Sequence, residues 1–308
     1  MKIICFSITF IFFISCSNKQ NYKKSINNFQ IPTERYIVHK NFPSRYVSYR
    51  NIEVWLPDGY DSSNALPVLY MFDGQNIFHG KKGWVNNKYD HGWQVDETLD
   101  SLFLVGTVPK IIVIGIFNTG VKRASEYMPA KPREEIKKRI PQAENWIQEG
   151  YKKYGITSDQ FLKFLVEELK PFIDNNYKTL KERKSTFLAG SSMGGLISVY
   201  AICEYPNIFG GVASLSTHWT ALDGVFIEYL KTNIPNSENH KIYFDYGTLG
   251  LDKKYEPYQL MVDSLMVLND YKRNKNWLTK KFVGEDHNED FWRARFHYSI
   301  EFFFKKQD

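Results

Sequence analysis

Short apolar runs alternate with stretches of helical periodicity along most of the chain. Residues 67–72 and 111–117 are continuous apolar runs, which are typical of strands buried on both faces of a sheet. Further buried strands are predicted at residues 186–189, 211–215, 241–246 and 278–283, and helices within 93–104, 161–172, 196–202, 261–268 and 291–304. This alternation predicts an α/β fold with a mostly parallel central sheet and helices on both faces.

Two segments depart from this alternation of strands and helices. Between residues 34 and 56 apolar and polar side chains alternate, and Asn41-Phe42-Pro43 interrupts them, which predicts a pair of antiparallel edge strands. Residues 128–157 are charged and contain three prolines. They are either a lid-like insertion over a site or a surface excursion without a role.

The N-terminus has the pattern of an export signal. Met1-Lys2 is followed by an apolar segment from Ile3 to Ile14, which is too short to span a bilayer as a helix. It ends in Phe13-Ile14-Ser15-Cys16, which resembles the lipobox of bacterial lipoproteins, although leucine is usual where Phe13 stands. We expect a signal peptide over residues 1–15 and a lipid anchor on Cys16, or else an ordinary secretory leader cut nearby.

The rest of the chain is predicted to be one domain behind a tether. Residues 16–30 are polar and have no hydrophobic period, so we interpret them as a flexible tether. Residues 31–308 form a single α/β domain in this interpretation. The predicted location is the bacterial cell envelope.

Composition excludes some classes of partner. The chain of 308 residues has 40 basic and 34 acidic residues, and this mild excess of +6 is spread along its length rather than clustered as nucleic-acid binding requires. Its three cysteines, Cys5, Cys16 and Cys203, give neither a disulfide framework nor the spacing of metal ligands. We therefore expect no metal and no nucleic-acid partner.

The most informative motif lies at residues 190–194, which read G-S-S-M-G. A β-branched and apolar run precedes it and an apolar helical stretch follows it directly. Strand, sharp turn and helix with G-x-S-x-G at the turn is the pattern of a nucleophile elbow, which exposes a serine hydroxyl above the sheet edge. The predicted nucleophile is Ser192. The alternative is that the small residues only allow close helix–strand packing.

A serine nucleophile needs a base, and the base needs a carboxylate. In an α/β-hydrolase both follow the serine along the chain, the acid first. His287, just past the last predicted strand, is the candidate base, because the only other late histidine, His297, falls inside the last helix. Asp252 is the preferred acid, and Asp245, within a predicted strand, is its rival.

Backbone N–H groups must stabilise the developing oxyanion. One should come from Met193, after the nucleophile. The other should come from the loop after residues 67–72, at Gly74 or Gln75, where glycine would allow the backbone to approach the substrate closely.

Three motifs in this order, at residues 70–76, 190–195 and 284–288, resemble the putative-esterase (esterase D-like) family of α/β-hydrolases. Enterochelin esterases, feruloyl esterases and acetylxylan esterases belong to it. The resemblance implies hydrolysis of a carboxylic ester without a cofactor, and it implies that Arg123 and Tyr127 lie near the substrate. The spacing from Gly247 to Asp252 is longer than in some members.

These observations favour an exported serine esterase with a Ser192–His287–Asp252 triad. The expected substrates are acyl groups on carbohydrates, small or polymeric, or alternatively a siderophore ester. Trp84, Trp93 and Trp219 could stack on sugar or aryl rings, although each could instead pack in the core. Two other hypotheses are a non-catalytic, glycan-binding surface lipoprotein and a peptidase on the same scaffold.

Overall fold

The computed structural model describes residues 34–61, 63–78 and 92–305. The predicted leader, the tether and Trp84 lie outside these residues. Strand bounds are β1 Tyr36–Phe42, β2 Arg50–Trp55, β3 Val68–Phe72, β4 Ile112–Ile116, β5 Thr186–Ser191, β6 Gly211–Leu215, β7 Lys241–Gly247 and β8 Trp277–Phe282.

Helices connect most of the strands. Their bounds are α1 Val95–Leu104, α2 Arg123–Tyr127, α3 Arg133–Arg139, α4 Asn145–Tyr154, α5 Ser158–Lys163, α6 Lys170–Asn176, α7 Met193–Glu204, α8 Val225–Asn233, α9 Glu256–Leu268 and α10 Glu289–Phe304. A π-helical turn, Phe164–Leu169, joins α5 to α6. It lies just before Pro171, whose missing N–H prevents a regular helical bond at that point.

The described strands form one sheet in the order β1-β2-β4-β3-β5-β6-β7-β8. The pairs β1–β2 and β2–β4 are antiparallel, and every later pair is parallel. The prediction of an antiparallel pair at the edge of a mostly parallel sheet is therefore confirmed.

Buried apolar side chains fill both faces of the sheet. Val68, Tyr70 and Phe72 of β3 point into the core under the helices from α5 to α8. The alternate residues, Leu69 and Met71, point into a second core under α1 and α10. Because successive side chains of a strand face opposite sides, a strand covered on both faces is apolar throughout, as the sequence indicated.

The segment at 128–157 is a packed part of this domain. Ile136 of α3, Ile140 of the short 3₁₀ turn after it and Ile147 of α4 pack into the first core. Ser125 of α2 donates a hydrogen bond to the carbonyl of Gly150. The insertion is thus anchored by buried apolar side chains. Among the described residues no helix is long and apolar enough to cross a membrane.

Candidate active site

The candidate site lies at the carboxyl ends of the parallel strands, where ligands of open α/β sheets bind. The turn after β3, the elbow after β5 and the loops after β6, β7 and β8 meet there. Every residue of the predicted triad is on one of these connections.

The elbow is as tight as the sequence indicated. Ser192 has φ 55° and ψ −123°, a backbone conformation that is strained for a residue with a side chain. A Cβ on Gly190 would lie 2.6 Å from the backbone of Gly194, so only glycine fits at that position. Ser192 N donates to the carbonyl of Leu215 at 3.0 Å, which ties the turn to β6.

The predicted base and acid are hydrogen bonded. His287 Nδ1 lies 2.6 Å from Asp252 Oδ1. The other oxygen of Asp252 accepts from Gly247 N at 2.7 Å and from the Ser216 hydroxyl. Burial acts to raise the pKa of Asp252, but the hydrogen bonds from His287, Ser216 and Gly247 outweigh it and hold this pKa below its usual value.

Asp245, the rival acid, has different partners. Its carboxylate lies 3.1 Å from Arg295 Nε and accepts from Tyr243 Oη at 3.0 Å. Burial raises the pKa of Asp245 to about 6, against the opposing charge of Arg295. The geometry therefore favours Asp252 as the carboxylate that orients His287.

Arg295 joins the two loops that carry the acid and the base. Its guanidinium is 1% exposed and bonds Glu285 at 2.8 Å, two residues before His287, besides contacting Asp245. It also donates to Ser216 Oγ, which in turn donates to Asp252. The sequence did not suggest this residue, because only the fold shows that α10 passes under both loops.

Ser192 has a neighbour that the sequence did not suggest. Its hydroxyl lies beside that of Tyr255, and this contact opposes the burial that raises the pKa of Tyr255. Tyr255 Oη is 2.7 Å from His218 Nδ1, and the rings of Tyr255 and His287 lie edge to face, with centroids 5.6 Å apart. No hydrogen bond joins Ser192 Oγ to His287 Nε2 in the described part of the chain. Catalytic hydrogen bonds are often long in enzymes without substrate.

The predicted oxyanion-hole residues lie on the turn after β3 and at the elbow after β5. Met193, Gly74 and Gln75 lie in the first turns of their helices, where backbone N–H groups have no partner within the helix, so they can donate to an anion there. Gly74 has a further reason to be glycine, because a Cβ would lie 2.5 Å from the backbone of Gly115 in β4. This reason is separate from the predicted one, which is close approach of the backbone to the substrate.

Arg123 and Tyr127 hold the turn after β3. Arg123 makes a bidentate ion pair with Asp73, at 2.7 Å for both bonds, and Tyr127 Oη accepts from Asp73 N at 3.2 Å. Asp73 has a left-handed conformation, with φ 58°, and these bonds stabilise it. Tyr127 is fully buried, so it faces the turn rather than open space, whereas Arg123 remains partly exposed.

Trp219, which was expected to bind substrate, is a buried side chain in this structure. Its ring is 1% exposed, its Nε1 donates to Gln259 Oε1 at 2.8 Å, and it stacks on Phe226. Trp93 is also a core residue, packed against Trp292. The loop after β6 folds back toward the elbow, with His218 N donating to the carbonyl of Ser192, and this turns Trp219 inward.

Similarity to known proteins defines the family. The family model described as "Putative esterase" matches residues 45–299, most of the chain. The uncharacterized protein YbbA of Bacillus subtilis is 27% identical over 186 residues, which cover 59% of this chain and 63% of YbbA. Ferri-bacillibactin esterase BesA of the same organism is 27% identical over 172 residues, 53% of this chain and 50% of BesA. The chain thus matches between half and two thirds of the length of these relatives.

Solved structures share the fold. An enterobactin esterase from Shigella flexneri superposes with a TM-score of 0.59 at 17% identity, over 89% of this chain and 60% of the other. A ferulic acid esterase from Anaeromyces mucronatus, solved in complex with ferulic acid, gives a TM-score of 0.57 at 18% identity, over 88% and 92%. The chain belongs to the putative-esterase family, and its fold is that of an α/β-hydrolase.

Proposed function

We propose that this protein is a serine esterase that hydrolyses carboxylic esters, with acyl groups on carbohydrates as its substrates. The observation that carries the proposal is the hydrogen bond from His287 Nδ1 to the buried carboxylate of Asp252 beside the strained Ser192 elbow. An imidazole held by a buried anion can take a proton at its other nitrogen and be stabilised as the cation.

In the proposed reaction Ser192 Oγ attacks the ester carbonyl while His287 Nε2 takes its proton. The N–H groups of Met193 and of Gly74 or Gln75 stabilise the oxyanion. Collapse of the tetrahedral intermediate breaks the bond to the alcohol, which leaves with the proton from His287. Water then repeats the sequence on the acyl-enzyme, releases the acid and restores Ser192. The Ser192 hydroxyl first rotates away from Tyr255.

The test is hydrolysis of p-nitrophenyl acetate. We expect turnover by the wild type and a loss of kcat of about 10³-fold or more in Ser192→Ala and His287→Ala. His297→Ala is the matched control, because that histidine stacks on Tyr298 of α10 outside the network and its removal should leave the rate unchanged. Equal rates in the wild type and Ser192→Ala would contradict the proposal.

A siderophore ester is the second candidate substrate, and the similarity to BesA favours it. Assays with a tris-catecholate trilactone and with acetylated xylo-oligosaccharides separate the two substrates. A matched amide tests peptidase activity, and absence of turnover on every ester would leave a non-catalytic binding protein.

Export and lipid attachment remain part of the proposal. Residues 13–16 supply the motif, and the polar segment behind them fits a tether. We expect the protein in the membrane fraction of a bacterial host and its Cys16→Ser variant in the soluble fraction. Unprocessed wild-type protein in the cytoplasm would contradict this.

A further inference from the structure

A cleft of about 310 Å³ lies between the insertion and the loop after β6. The junction of α3 and α4 forms one wall, and the residues before α8 form the other. Arg139 closes one end by donating to the carbonyls of Leu222 and Asp223, at 3.1 and 2.8 Å. The lining residues are Arg139, Gln142, Ala143, Glu144, Ile147, Thr220, Ala221, Leu222 and Asp223.

The cleft adjoins the nucleophile. Thr220, one of its lining residues, has its hydroxyl 3.5 Å from His218 Nδ1. The Tyr255 hydroxyl contacts the side chains of both Thr220 and Ser192. The cleft wall at Thr220 is therefore separated from Ser192 by a single side chain, that of Tyr255.

The chemistry of the cleft suits a neutral molecule with many hydroxyl groups. Its polar side chains carry both signs, with Arg139 against Glu144 and Asp223, and small apolar side chains lie between them. Hydroxyl groups donate and accept, so they match such a mixed wall. The two carboxylates outnumber the single guanidinium, so the wall has a net negative charge that disfavours a multiply anionic ligand such as a ferric tris-catecholate.

The aromatic side chain of Trp146 lies next to the cleft. Trp146 lies between the lining residues Glu144 and Ile147, is 40% exposed, and donates its Nε1 to Glu144. Its ring centroid is 6.1 Å from that of His218. An exposed indole held in one orientation offers a flat apolar face to a sugar ring.

His218 supplies a second observation that indicates a ligand. It is 3% exposed, and its Nε2 has no hydrogen-bond partner among the described residues. Buried polar atoms are nearly always paired, so Nε2 keeps an unused hydrogen-bonding capacity, whereas the other ring nitrogen, Nδ1, faces the cleft residue Thr220. Burial, with the charges of His287 and Arg123, lowers the pKa of His218 to about 3, so the ring offers a neutral donor or acceptor.

We propose that this cleft is the subsite for a sugar residue of the ester substrate, which stacks on Trp146 at its margin and bonds to the polar side chains of its walls, among them Gln142 and Thr220. The inference rests on the proposed esterase function. The inference assigns recognition of the sugar to the insertion, which carries Trp146.

The test measures binding directly with the Ser192→Ala protein, which cannot turn the ligand over. Calorimetric titration with xylobiose and with cellobiose should give saturable binding for at least one of them. Ser192→Ala/Trp146→Ala should bind at least about tenfold more weakly, because the stacking face is gone. Ser192→Ala/Tyr49→Ala is the matched control, since Tyr49 is an exposed aromatic between β1 and β2, and its affinity should not change.

A second readout uses turnover. The ratio of kcat/KM for an acetylated xylo-oligosaccharide to that for p-nitrophenyl acetate should fall by at least about tenfold in Trp146→Ala, and less in Trp146→Phe. Absence of disaccharide binding, or unchanged affinity in the Trp146→Ala protein, would overturn the inference while leaving esterase activity intact. Sugar binding at Trp146 without turnover of any ester would instead contradict the proposed function and leave the subsite standing.

Discussion

At the residue scale the sequence favoured Asp252 over Asp245 as the acid but left the rival open. Asp245 and Asp252 both lie near the end of β7, and spacing alone does not say which one meets the histidine. In the structure the two carboxylates have different positions and partners. Asp245 is in the strand and points to Arg295, whereas Asp252 is in the following short 3₁₀ turn and bonds His287. Side-chain direction depends on the strand's neighbours, which the local sequence does not contain.

Substituting each aspartate in turn separates their roles. Asp252→Asn should lower kcat by about 10³- to 10⁴-fold, because an amide can hold the wrong tautomer of His287 and cannot stabilise its cation. In Asp245→Asn kcat should fall far less, since the partner of Asp245 is Arg295. The measurement is steady-state hydrolysis of p-nitrophenyl acetate by both variants, with folding checked by circular dichroism. A larger loss in Asp245→Asn would reverse the assignment.

His218 should make stability depend on pH. Its pKa is about 3 in the folded protein and about 6.5 when unfolded, so the unfolded chain binds the extra proton and acid favours unfolding. Between pH 7 and pH 5 this should remove about 2 kcal/mol from the free energy of unfolding. Urea titrations of the wild type and His218→Gln at both pH values measure this loss. The free energy of unfolding of the variant should fall by correspondingly less. Equal losses would show that His218 is not kept neutral by the fold.

At the element scale the elements with strong periodicity were predicted well. The strands and the helix around the elbow follow from continuous apolar runs and from G-x-S-x-G, because burial on both faces and a tight turn leave few alternatives. The fold of the insertion was not predicted. Its prolines and charges suggested a lid or a surface excursion, yet three isoleucines of this segment pack it into the core: Ile136 on α3, Ile140 just after it and Ile147 on α4.

Trp219 shows the limit of arguing from position along an element. A tryptophan just after a strand is expected at the rim of the site, but the connection after β6 turns back on the elbow and buries it. The same turn brings His218 to Tyr255, a contact that no sequence spacing suggests.

Arg295 should stabilise the loops that carry Asp252 and His287 as a unit. Arg295→Met leaves three carboxylates near one another without their cation, and removing one partner of a buried ion pair costs about 3–5 kcal/mol. Arg293→Met is the control, since its pair with Asp290 is partly exposed and should contribute less than about 1 kcal/mol. Chemical denaturation of both variants measures the difference, and equal small losses would refute this role.

At the scale of the whole molecule, one edge of the sheet collects residues that are far apart in the sequence. The turn at Asp73, the elbow at Ser192 and the loops with Asp252 and His287 all follow parallel strands, so their carboxyl ends meet. This convergence was predictable from the alternation of strands and helices. The proposed sugar cleft was less predictable from the sequence, because it depends on how the insertion packs over the loop after β6.

The most direct test of the account is covalent trapping of the nucleophile. Incubation with diethyl p-nitrophenyl phosphate, followed by mass spectrometry of peptides, should give one diethylphosphoryl adduct per chain, on Ser192. His287→Ala should form this adduct far more slowly, because no base takes the serine proton. Labelling of a different residue, or labelling of Ser192 at the same rate without His287, would contradict the account.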